Sequence, residues 1–526
     1  MRKSIKLGFH KLILYIKFFV NEVFYTLIDF SDFYKKYNLK SYPFDKYTSE
    51  KEVEFSSKLF VKQADYSLIK DTFDRGETLT LIGNRGTGKT AVLMELDRSI
   101  LDRSKKLICY IDNFEEIKFK KSTTEINESE YYYLIAKKIT IQLVENTIAK
   151  KKAIRKLSED DKIFFSYLIS EFLDEVTKER IVEKIENIQL SFLKKLANKF
   201  SKIIHLFANY GVEAATSSLN AIITAHYPKL PQINEKQMKN IFPYLEFQVE
   251  KNFNNIEKGF SFLKRVCKLV NKIGFDRIIV FLDKLDEDTR FESDAQEIAN
   301  FIKPLLSSSN LQENKDIQLV TSVWKIPFNY IKHAVRTQKY KFYDLEWKDE
   351  ELVHVFNKRI EVFTDGNPIK FEDFFEDVEI TPEIKELSNK NPRDLWHIFN
   401  YMLREQFLNN WHENKLENKN IELAMEKYVK EFNYFEYYPR VKNARSNSMD
   451  IYKYSNHLIK LTSDEFTANQ LNSEAGTGSS TQNYITSMQR IGLVKALDRK
   501  RAGGTLYKII DPKIRYARKY KLKLEK

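Results

Sequence analysis

Gly83-Asn84-Arg85-Gly86-Thr87-Gly88-Lys89-Thr90 is the stretch that decides the fold. It lies between an apolar run at residues 78–82 and a helical pattern at residues 91–101. The pattern predicts a buried strand, a glycine-rich turn and a helix. Glycines in such a turn can adopt positive φ and bring backbone N–H groups against phosphate oxygens, and the helix N-terminus adds partial positive charge. The stretch therefore indicates a P-loop, with an ordinary glycine-rich turn as the alternative.

The residue types at the end of this stretch predict a nucleotide site. Lys89 would reach the β- and γ-phosphates, and the Thr90 hydroxyl would bind Mg²⁺. Phosphate contacts are expected from the whole loop and the first helical turn, that is, from Gly83, Asn84, Arg85, Gly86, Thr87, Gly88, Lys89, Thr90 and Ala91.

A second signal is the apolar run at residues 277–282, which ends on Asp283 and continues as Lys284-Leu285-Asp286-Glu287. A buried strand ending in a carboxylate beside a P-loop suits Mg²⁺, because this hard cation takes oxygen ligands. The alternative is a core strand followed by an ordinary acidic turn. Thr90 and Asp283 are the predicted metal ligands.

Two further runs, at residues 107–111 and 317–323, are rich in β-branched residues and complete a predicted parallel sheet. Ligands of open α/β sheets gather at the carboxyl ends of the strands. Thr321 or Ser322, near the end of the last run, could there hold an attacking water.

The chain length and the position of these runs predict several domains. A chain of 526 residues exceeds what one hydrophobic core usually supports. Lys89 and Asp283 are 194 residues apart (283 − 89), and much of the interval has a lysine-rich helical pattern. We expect an N-terminal amphipathic segment at 1–55, a P-loop core at 56–345 with a helical insertion at about 121–255, a helical lid at 346–445, and a winged helix-turn-helix with a basic tail at 446–526.

The lid pattern contains Asn391-Pro392-Arg393-Asp394 at the start of a helix. A cation at a helix N-terminus is disfavoured by the helix dipole, so Arg393 is expected to face an anion. That anion is either a nucleotide phosphate or a neighbouring carboxylate.

Charge and cysteine usage limit the class of protein. The formal net charge is +13, and residues 490–526 hold thirteen Lys and Arg against three Asp and Glu. This end of the chain therefore suits a polyanionic partner, although a solvated tail explains the charge equally well. With only Cys109 and Cys267, neither a disulfide framework nor a zinc site is indicated, and the cytoplasm is the expected compartment.

The N-terminal segment at 1–30 has apolar residues at helical spacing and basic residues before its longest apolar stretch. That stretch is too short to span a bilayer. We expect an amphipathic helix that packs on the protein or on a partner, with a membrane-surface helix as the alternative.

In the order of its motifs the chain resembles the AAA+-related and STAND-type P-loop ATPases, particularly those built like origin-recognition ATPases with a C-terminal winged helix. It is also similar to prokaryotic P-loop ATPases associated with antiviral defence and mobile elements. The resemblance rests on GNRGTGKT, on IIVFLDKLDE at residues 278–287, on IQLVTS at 317–322 and on NPRDL at 391–395. It extends over residues 58–408, outside the insertion.

The resemblance implies an ATPase that uses Mg²⁺ and assembles as a homo-oligomer. It makes Lys89 and Thr90 the Walker A pair, Asp283 the Walker B carboxylate, Thr321 or Ser322 the first sensor and Arg393 the second. AAA+ proteins usually have a catalytic Glu directly after the Walker B Asp, where this chain has Lys284. Asp286 or Glu287 would then act as the base, and Arg336 lies where an arginine finger could be.

The C-terminal pattern predicts a winged helix. Thr467 with Gln470 and Ser479 with Gln482 have capping-box spacing and would start two helices. A hairpin would follow, with a basic turn. Such a helix suits the major groove and such a turn suits phosphate contacts, so the predicted DNA-binding residues are Gln482, Asn483, Arg490, Arg499, Lys500 and Arg501. A protein-docking module is the alternative.

Two functions remain open from the sequence. The first is an ATP-dependent switch that couples its nucleotide state to oligomerisation and DNA binding, in a role such as antiviral defence. The second is a nucleotide-bound sensor or scaffold with little hydrolysis, in which the insertion and the winged helix bind protein partners such as an effector.

Overall fold

The computed structural model describes residues 29–119, 122–146, 149–172, 217, 220–221, 256–364, 366, 368–445, 448–501 and 504–525. The N-terminal helix expected before residue 29 lies outside these residues. So do most of the expected insertion and the tip of the basic hairpin at 502–503.

A five-stranded parallel sheet forms the centre of the molecule. Its strands are β1 (Leu79–Gly83), β2 (Lys106–Ile111), β3 (Arg277–Leu282), β4 (Ile317–Trp324) and β5 (Lys341–Asp344), in the order β2-β3-β4-β1-β5. Gly83 is paired with Trp324, and Leu282 with Thr321. The P-loop and the residue after β3 therefore emerge at the same edge of the sheet.

Helices cover both faces of the sheet, which explains the continuous apolar strands. Ile279 and Phe281 of β3 face one layer, whereas Ile278, Val280 and Leu282 face the other. The first layer includes the helices at residues 66–74 and 89–98, and the second includes those at 128–145, 256–272 and 295–307. In chain order the helices are α1 (Phe30–Lys35), α2 (Ser56–Leu59), α3 (Tyr66–Asp74), α4 (Lys89–Arg98), α5 (Glu128–Glu145), α6 (Lys151–Arg155), α7 (Glu159–Phe172), α8 (Ile256–Lys272), α9 (Ala295–Ser307), α10 (Ser309–Gln312) and α11 (Lys325–Ile331).

A helical lid follows the sheet, and the described residues before the sheet pack against it. Its helices are α12 (Asp349–Val362), α13 (Thr381–Leu387), α14 (Pro392–Asn410) and α15 (Asn418–Glu431). Tyr37 stacks on Phe374 with ring centroids 5.4 Å apart. Arg359 of α12 forms a buried ion pair with Glu52 and donates hydrogen bonds to the backbone of residues 43 and 46. The segment before the sheet is thereby fastened to the lid.

The C-terminal elements have the order of a winged helix. They are α16 (Ile451–Ile459), β6 (Glu465–Thr467), α17 (Ala468–Ala475), α18 (Thr481–Arg490), β7 (Val494–Arg501), β8 (Gly504–Ile509) and α19 (Pro512–Lys519). The three strands form an antiparallel sheet in the order β6-β8-β7. Over the described residues, the expected class is confirmed: an α/β P-loop core with a parallel sheet, helices inserted between β2 and β3, a helical lid and a C-terminal winged helix.

One of the two predicted caps is correct. Thr467 Oγ1 accepts a hydrogen bond from Gln470 N, and Gln470 Oε1 accepts one from Thr467 N, which completes the capping box of α17. The cap predicted at Ser479 is wrong. A 3₁₀ turn at Gly478–Ser480 precedes α18, and Ser480 occupies the N-cap without a side-chain hydrogen bond.

Among the described residues, no helix combines the length and the apolar character that crossing a membrane requires.

Candidate functional site

The turn between β1 and α4 has the backbone of a phosphate-binding loop. β1 is buried throughout, and Gly86 and Gly88 adopt φ of 87° and 91°. Only glycine takes such conformations without strain. Lys89, the first residue of α4, donates from Nζ to the carbonyl oxygens of Gly83 and Asn84, each at 3.1 Å. The ammonium therefore lies against the loop, where a bound phosphate would meet it.

Burial lowers the pKa of Lys89, and the nearby carboxylates of Asp286 and Asp283 oppose this effect. Desolvation penalises the charged form of a lysine. A phosphate placed at the loop would act in the opposite direction, since it would stabilise the ammonium.

Thr90, Asp283 and Ser322 meet at the carboxyl ends of the strands. Thr90 Oγ1 donates to Asp283 Oδ2 at 2.7 Å, and Ser322 Oγ donates to Asp283 Oδ1. Thr321 is fully buried, and its hydroxyl has no hydrogen-bond partner within the described part of the chain. Adjacent residues of a strand point to opposite faces, so only one of the two candidates on β4 can reach Asp283.

The oxygen donors of Thr90 and Asp283 fit a hard divalent cation. Over the described residues, no group of three His, Cys, Asp or Glu side chains could hold a metal by itself. Mg²⁺ commonly takes one or two protein ligands and completes its shell with water and phosphate oxygens, so a two-residue site suits it.

The turn after β3 directs its charged side chains in different directions. Lys284 adopts a φ of 60° and forms an ion pair with Glu50 at 3.1 Å. Burial lowers the pKa of Lys284, but the hydrogen bond to Glu50 and the Glu50 charge outweigh burial, so that the pKa is raised overall. Glu287 is on the cavity wall, where partial burial and the charge of Asp286 raise its pKa. Glu287 thus differs from Asp286, whose carboxylate is buried and bound.

Asp286 is held by Arg85 of the P-loop, an ion pair that the sequence did not predict. Arg85 Nε donates to Asp286 Oδ2 at 2.9 Å, and the guanidinium stacks over Trp324 with 4.2 Å to the ring centroid. The two residues are 201 positions apart, and nothing local in either motif signals the contact.

The lid reaches the P-loop through Asn391. Its Nδ2 donates to the carbonyl oxygen of Arg85 at 2.8 Å, and its Oδ1 accepts from Arg393 N at 3.0 Å as the N-cap of α14. A Cβ at Gly86 would lie 2.5 Å from the Asn391 side chain. The absence of a side chain at position 86 therefore permits this contact.

Arg393 lines the cavity, and its Nε is buried with no hydrogen-bond partner among the described residues. A buried guanidinium nitrogen without a partner suits an anion that would enter the cavity. The carboxylate of the next residue, Asp394, is engaged by Lys513 and Tyr437.

A cavity of about 460 Å³ is lined by Lys89, Thr90, Asp283, Glu287 and Arg393, among other residues. Its walls come from the P-loop, the turn after β3, the lid and residues 47–63. The P-loop wall is fixed from behind, because Trp347 Nε1 and Gln63 Nε2 donate to the carbonyl oxygen of Thr87 at 2.9 and 3.2 Å. The sequence did not indicate that residues 47–63 form a wall. Apolar groups suited to a nucleoside base lie in the same cavity, namely Phe60, Val61, Val355 and Trp396.

The predicted DNA-binding residues lie on the winged helix in different environments. Gln482 and Asn483 are exposed on α18, and Lys500 and Arg501 are exposed on β7. Arg499 pairs with Glu465 at 2.5 Å. Arg490 donates to Gln296 of the core at 2.7 Å and stacks over Tyr330 with 4.1 Å to the ring centroid. Of the six exposed residues, Arg490 and Arg499 are therefore engaged by protein side chains. Arg336 is exposed before β5.

No protein-family model and no curated protein matches the chain. Among solved structures it is similar to the crystal structure of Cdc6p from Pyrobaculum aerophilum, with a TM-score of 0.26 and 11% sequence identity over 94% of this chain and 99% of that chain. A likeness of this degree carries no argument about function.

Proposed function

We propose that the chain is an ATP-binding P-loop switch that hydrolyses ATP and couples its nucleotide state to self-association and DNA binding. The observation that carries the proposal is the meeting of Thr90, Asp283 and Ser322 beside the P-loop, in a cavity that Arg393 lines. The motif resemblance to AAA+ and STAND ATPases supports this class, and its prokaryotic members associated with antiviral defence supply the proposed setting.

Different residues of the cavity would bind the phosphates and the Mg²⁺ ion. Backbone N–H groups around Gly86 and Gly88 would receive the phosphates, and Lys89 would exchange its two carbonyl partners for phosphate oxygens. Thr90 and Asp283 would hold Mg²⁺, which neutralises charge on the phosphates when bound. Arg393 would donate to the terminal phosphate when the lid is closed.

Hydrolysis requires a group that accepts a proton from water. The water oxygen bonds to the γ-phosphorus, the bond to the β,γ-bridging oxygen breaks, and the water proton passes to a carboxylate before release to solvent. Glu287 suits this role better than Asp286, because its pKa is raised, whereas the Asp286 carboxylate is paired with Arg85. Ser322, which donates to Asp283, would orient the water or the carboxylate.

Nucleotide binding is tested with wild type and Lys89→Ala. A fluorescent ATP analogue should bind wild type in the presence of Mg²⁺, and Lys89→Ala should lose most of that affinity. Equal affinity would remove the proposed site. Light scattering with and without the nucleotide then tests self-association, which predicts a larger mass in the bound state.

DNA binding is tested by titrating duplex DNA against salt. Neutralising Lys500 and Arg501 should lower the salt slope by about one for each lost phosphate contact. Lys358→Ala is the control, since Lys358 is a partly exposed lysine of the lid helix α12 that pairs with Glu361. An unchanged slope in the wing variants would remove the wing from the proposal.

The second candidate is a sensor or scaffold that binds nucleotide with little turnover. Lys284 favours it, because a cation paired with Glu50 stands where a base is usual. Robust hydrolysis that is abolished by Glu287→Gln would exclude this candidate. Nucleotide binding without measurable turnover in wild type would establish it.

A further inference from the structure

Arg85 is a P-loop residue whose guanidinium is bound by protein. Nε donates to Asp286 Oδ2 at 2.9 Å, Nη2 to the Asp286 carbonyl oxygen at 3.2 Å, and Nη1 to the Glu436 carbonyl oxygen at 2.9 Å. The guanidinium face lies over Trp324, the last residue of β4. All three nitrogen atoms therefore donate to the protein, and two distant segments share them.

Glu436 belongs to the segment 432–440, which joins the lid to the winged helix and which we call the connector. The connector follows α15 and contains a 3₁₀ turn at Tyr434–Glu436. Glu436 itself is exposed, whereas Tyr434 and Tyr438 on either side are buried. The P-loop thus contacts the connector at Glu436, an exposed residue whose neighbours Tyr434 and Tyr438 are anchored in the interior.

Buried hydrogen bonds tie the connector to the last helix of the chain. Tyr438 donates to Asp511 Oδ2 at 2.6 Å, and Asp511 is the N-cap of α19. Tyr437 donates to Asp394, which is also the partner of Lys513 on α19. Tyr452 of α16 donates to the Phe432 carbonyl oxygen and accepts from Tyr434 N, each at 3.4 Å. A displacement of the connector must therefore shift helices of the winged-helix module.

We propose that Arg85 is a positioning residue that links the occupancy of the P-loop to the position of the connector, and through it to the winged helix. The inference rests on the proposed function, because it requires nucleotide at the P-loop. A nucleotide that moves the loop moves the Arg85 backbone, and the guanidinium carries Glu436 with it. Packed interiors pass such shifts between discrete arrangements, and the coupling is a free energy that a variant can remove.

The test is hydrogen exchange of the full chain, with and without a non-hydrolysable ATP analogue and Mg²⁺. In wild type, nucleotide should change the exchange rate of amides 432–440 by about fivefold or more, the lower end of typical couplings. Arg85→Gln should lose that change. Each variant is measured well above its own Kd, at about a hundredfold excess, so that a weaker affinity does not mimic lost coupling.

Two further variants complete the experiment. Arg75→Gln is the matched control, because Arg75 is likewise an arginine held by carboxylates, those of Asp71 and Glu77, but lies outside the cavity. It should keep the full response. Asp286→Ala removes the carboxylate partner of Arg85, leaves the P-loop sequence intact and should reduce the response as Arg85→Gln does. If Arg85→Gln does not fold, the response of Asp286→Ala tests the role of Arg85 instead.

The outcomes separate this inference from the proposed function. A connector response that persists in Arg85→Gln and Asp286→Ala overturns the inference alone. Wild type that binds the analogue without any change at 432–440 does the same. Complete loss of binding in Arg85→Gln would assign Arg85 to the nucleotide instead. Wild type that binds no nucleotide overturns both proposals.

Discussion

Both carboxylate oxygens of Asp283 accept hydrogen bonds from hydroxyl groups, one from Thr90 and one from Ser322. This arrangement keeps the carboxylate oriented toward the mouth of the P-loop. Thr90 is the first neighbour of Lys89 on α4, so the groups proposed for the metal and for the phosphates are fixed by one helix start. The proposed metal role of Asp283 can therefore be tested with one substitution.

Asp283→Asn should weaken Mg²⁺-dependent ATP binding by about tenfold to a hundredfold, because a hydrogen bond to a charged group contributes about 1.5–3 kcal/mol. Binding measured in EDTA should change little, since the amide keeps the shape of the carboxylate. Asp276→Asn, just before the other end of β3, is the control and should behave as wild type. Equal losses with and without Mg²⁺ would contradict a metal role for Asp283.

Lys89 leads to an expectation about pH. Burial lowers its pKa below 10.5 in the nucleotide-free chain, and a bound phosphate should raise it again. Between the two pKa values binding takes up a proton, so ATP affinity should fall as the pH rises through this window. Calorimetry in buffers of different ionisation enthalpy measures the uptake. Lys89→Arg should abolish the dependence, because a guanidinium stays protonated.

The lowered pKa of Lys89 also makes the free energy of unfolding depend on pH, in the direction opposite to that of ATP affinity. In this alkaline window the unfolded chain binds more protons at Lys89 than the folded chain does, because the folded pKa is the lower one. The contribution of Lys89 to the unfolding free energy should therefore rise with pH toward 10.5 while ATP affinity falls.

Among the strands, burial decides which could be predicted. β1, β3 and β4 are buried along almost their whole length, apolar runs at 278–282 and 107–111 mark β3 and β2, and β-branched residues mark β4. β5 was not predicted, since Lys341–Asp344 is a short edge strand with exposed ends and no apolar run. Thr321 and Ser322 could not be distinguished in the sequence, because the choice depends on which face of the sheet each side chain points to.

Long-range contacts of the site were beyond prediction for a different reason. Arg85 with Asp286, and Asn391 with Gly86, join residues hundreds of positions apart that belong to separate motifs. The residue pattern of one motif gives no indication that it contacts the other. Only the packing of the lid on the sheet brings them together.

The two predicted caps of the winged helix make a matched pair for measurement. Thr467→Ala should lower the unfolding free energy by about 1 kcal/mol, because it removes the acceptor for Gln470 N at the start of α17. Ser479→Ala should have an effect close to zero, since Ser479 lies in the preceding 3₁₀ turn. Chemical denaturation of the two variants checks the contrast. A loss of similar size in both would mean that α18 is capped after all.

The lid and the winged helix are joined by an ion pair in the interior of the molecule. Lys513 Nζ donates to Asp394 Oδ2 at 2.7 Å, and their side chains are 1% and 0% exposed. Asp394 follows Arg393, which lines the cavity, so the pair connects the back of the lid with α19. Such a pair adds little net stability over an apolar pair, but removing one partner leaves an uncompensated buried charge.

Lys513→Met should destabilise the full chain by about 3–5 kcal/mol, because it leaves the buried carboxylate of Asp394 without its partner. Lys519→Met is the control on the same helix. Its ion pair with Glu383 is solvated, with Lys519 58% exposed, and should contribute about 1 kcal/mol or less. Urea unfolding midpoints compare the two. Adding Asp394→Asn to Lys513→Met should recover part of the loss.

The left-handed backbone at Lys284 has a consequence for protein engineering. An obvious redesign would install glutamate at this position, as AAA+ ATPases have, to increase turnover. Here the side chain reaches Glu50 instead, so a glutamate would set two carboxylates against each other across the cavity. If the chain hydrolyses ATP as proposed, a redesign for faster hydrolysis would have to alter the turn and residue 50 together, so these two positions must be designed as a pair.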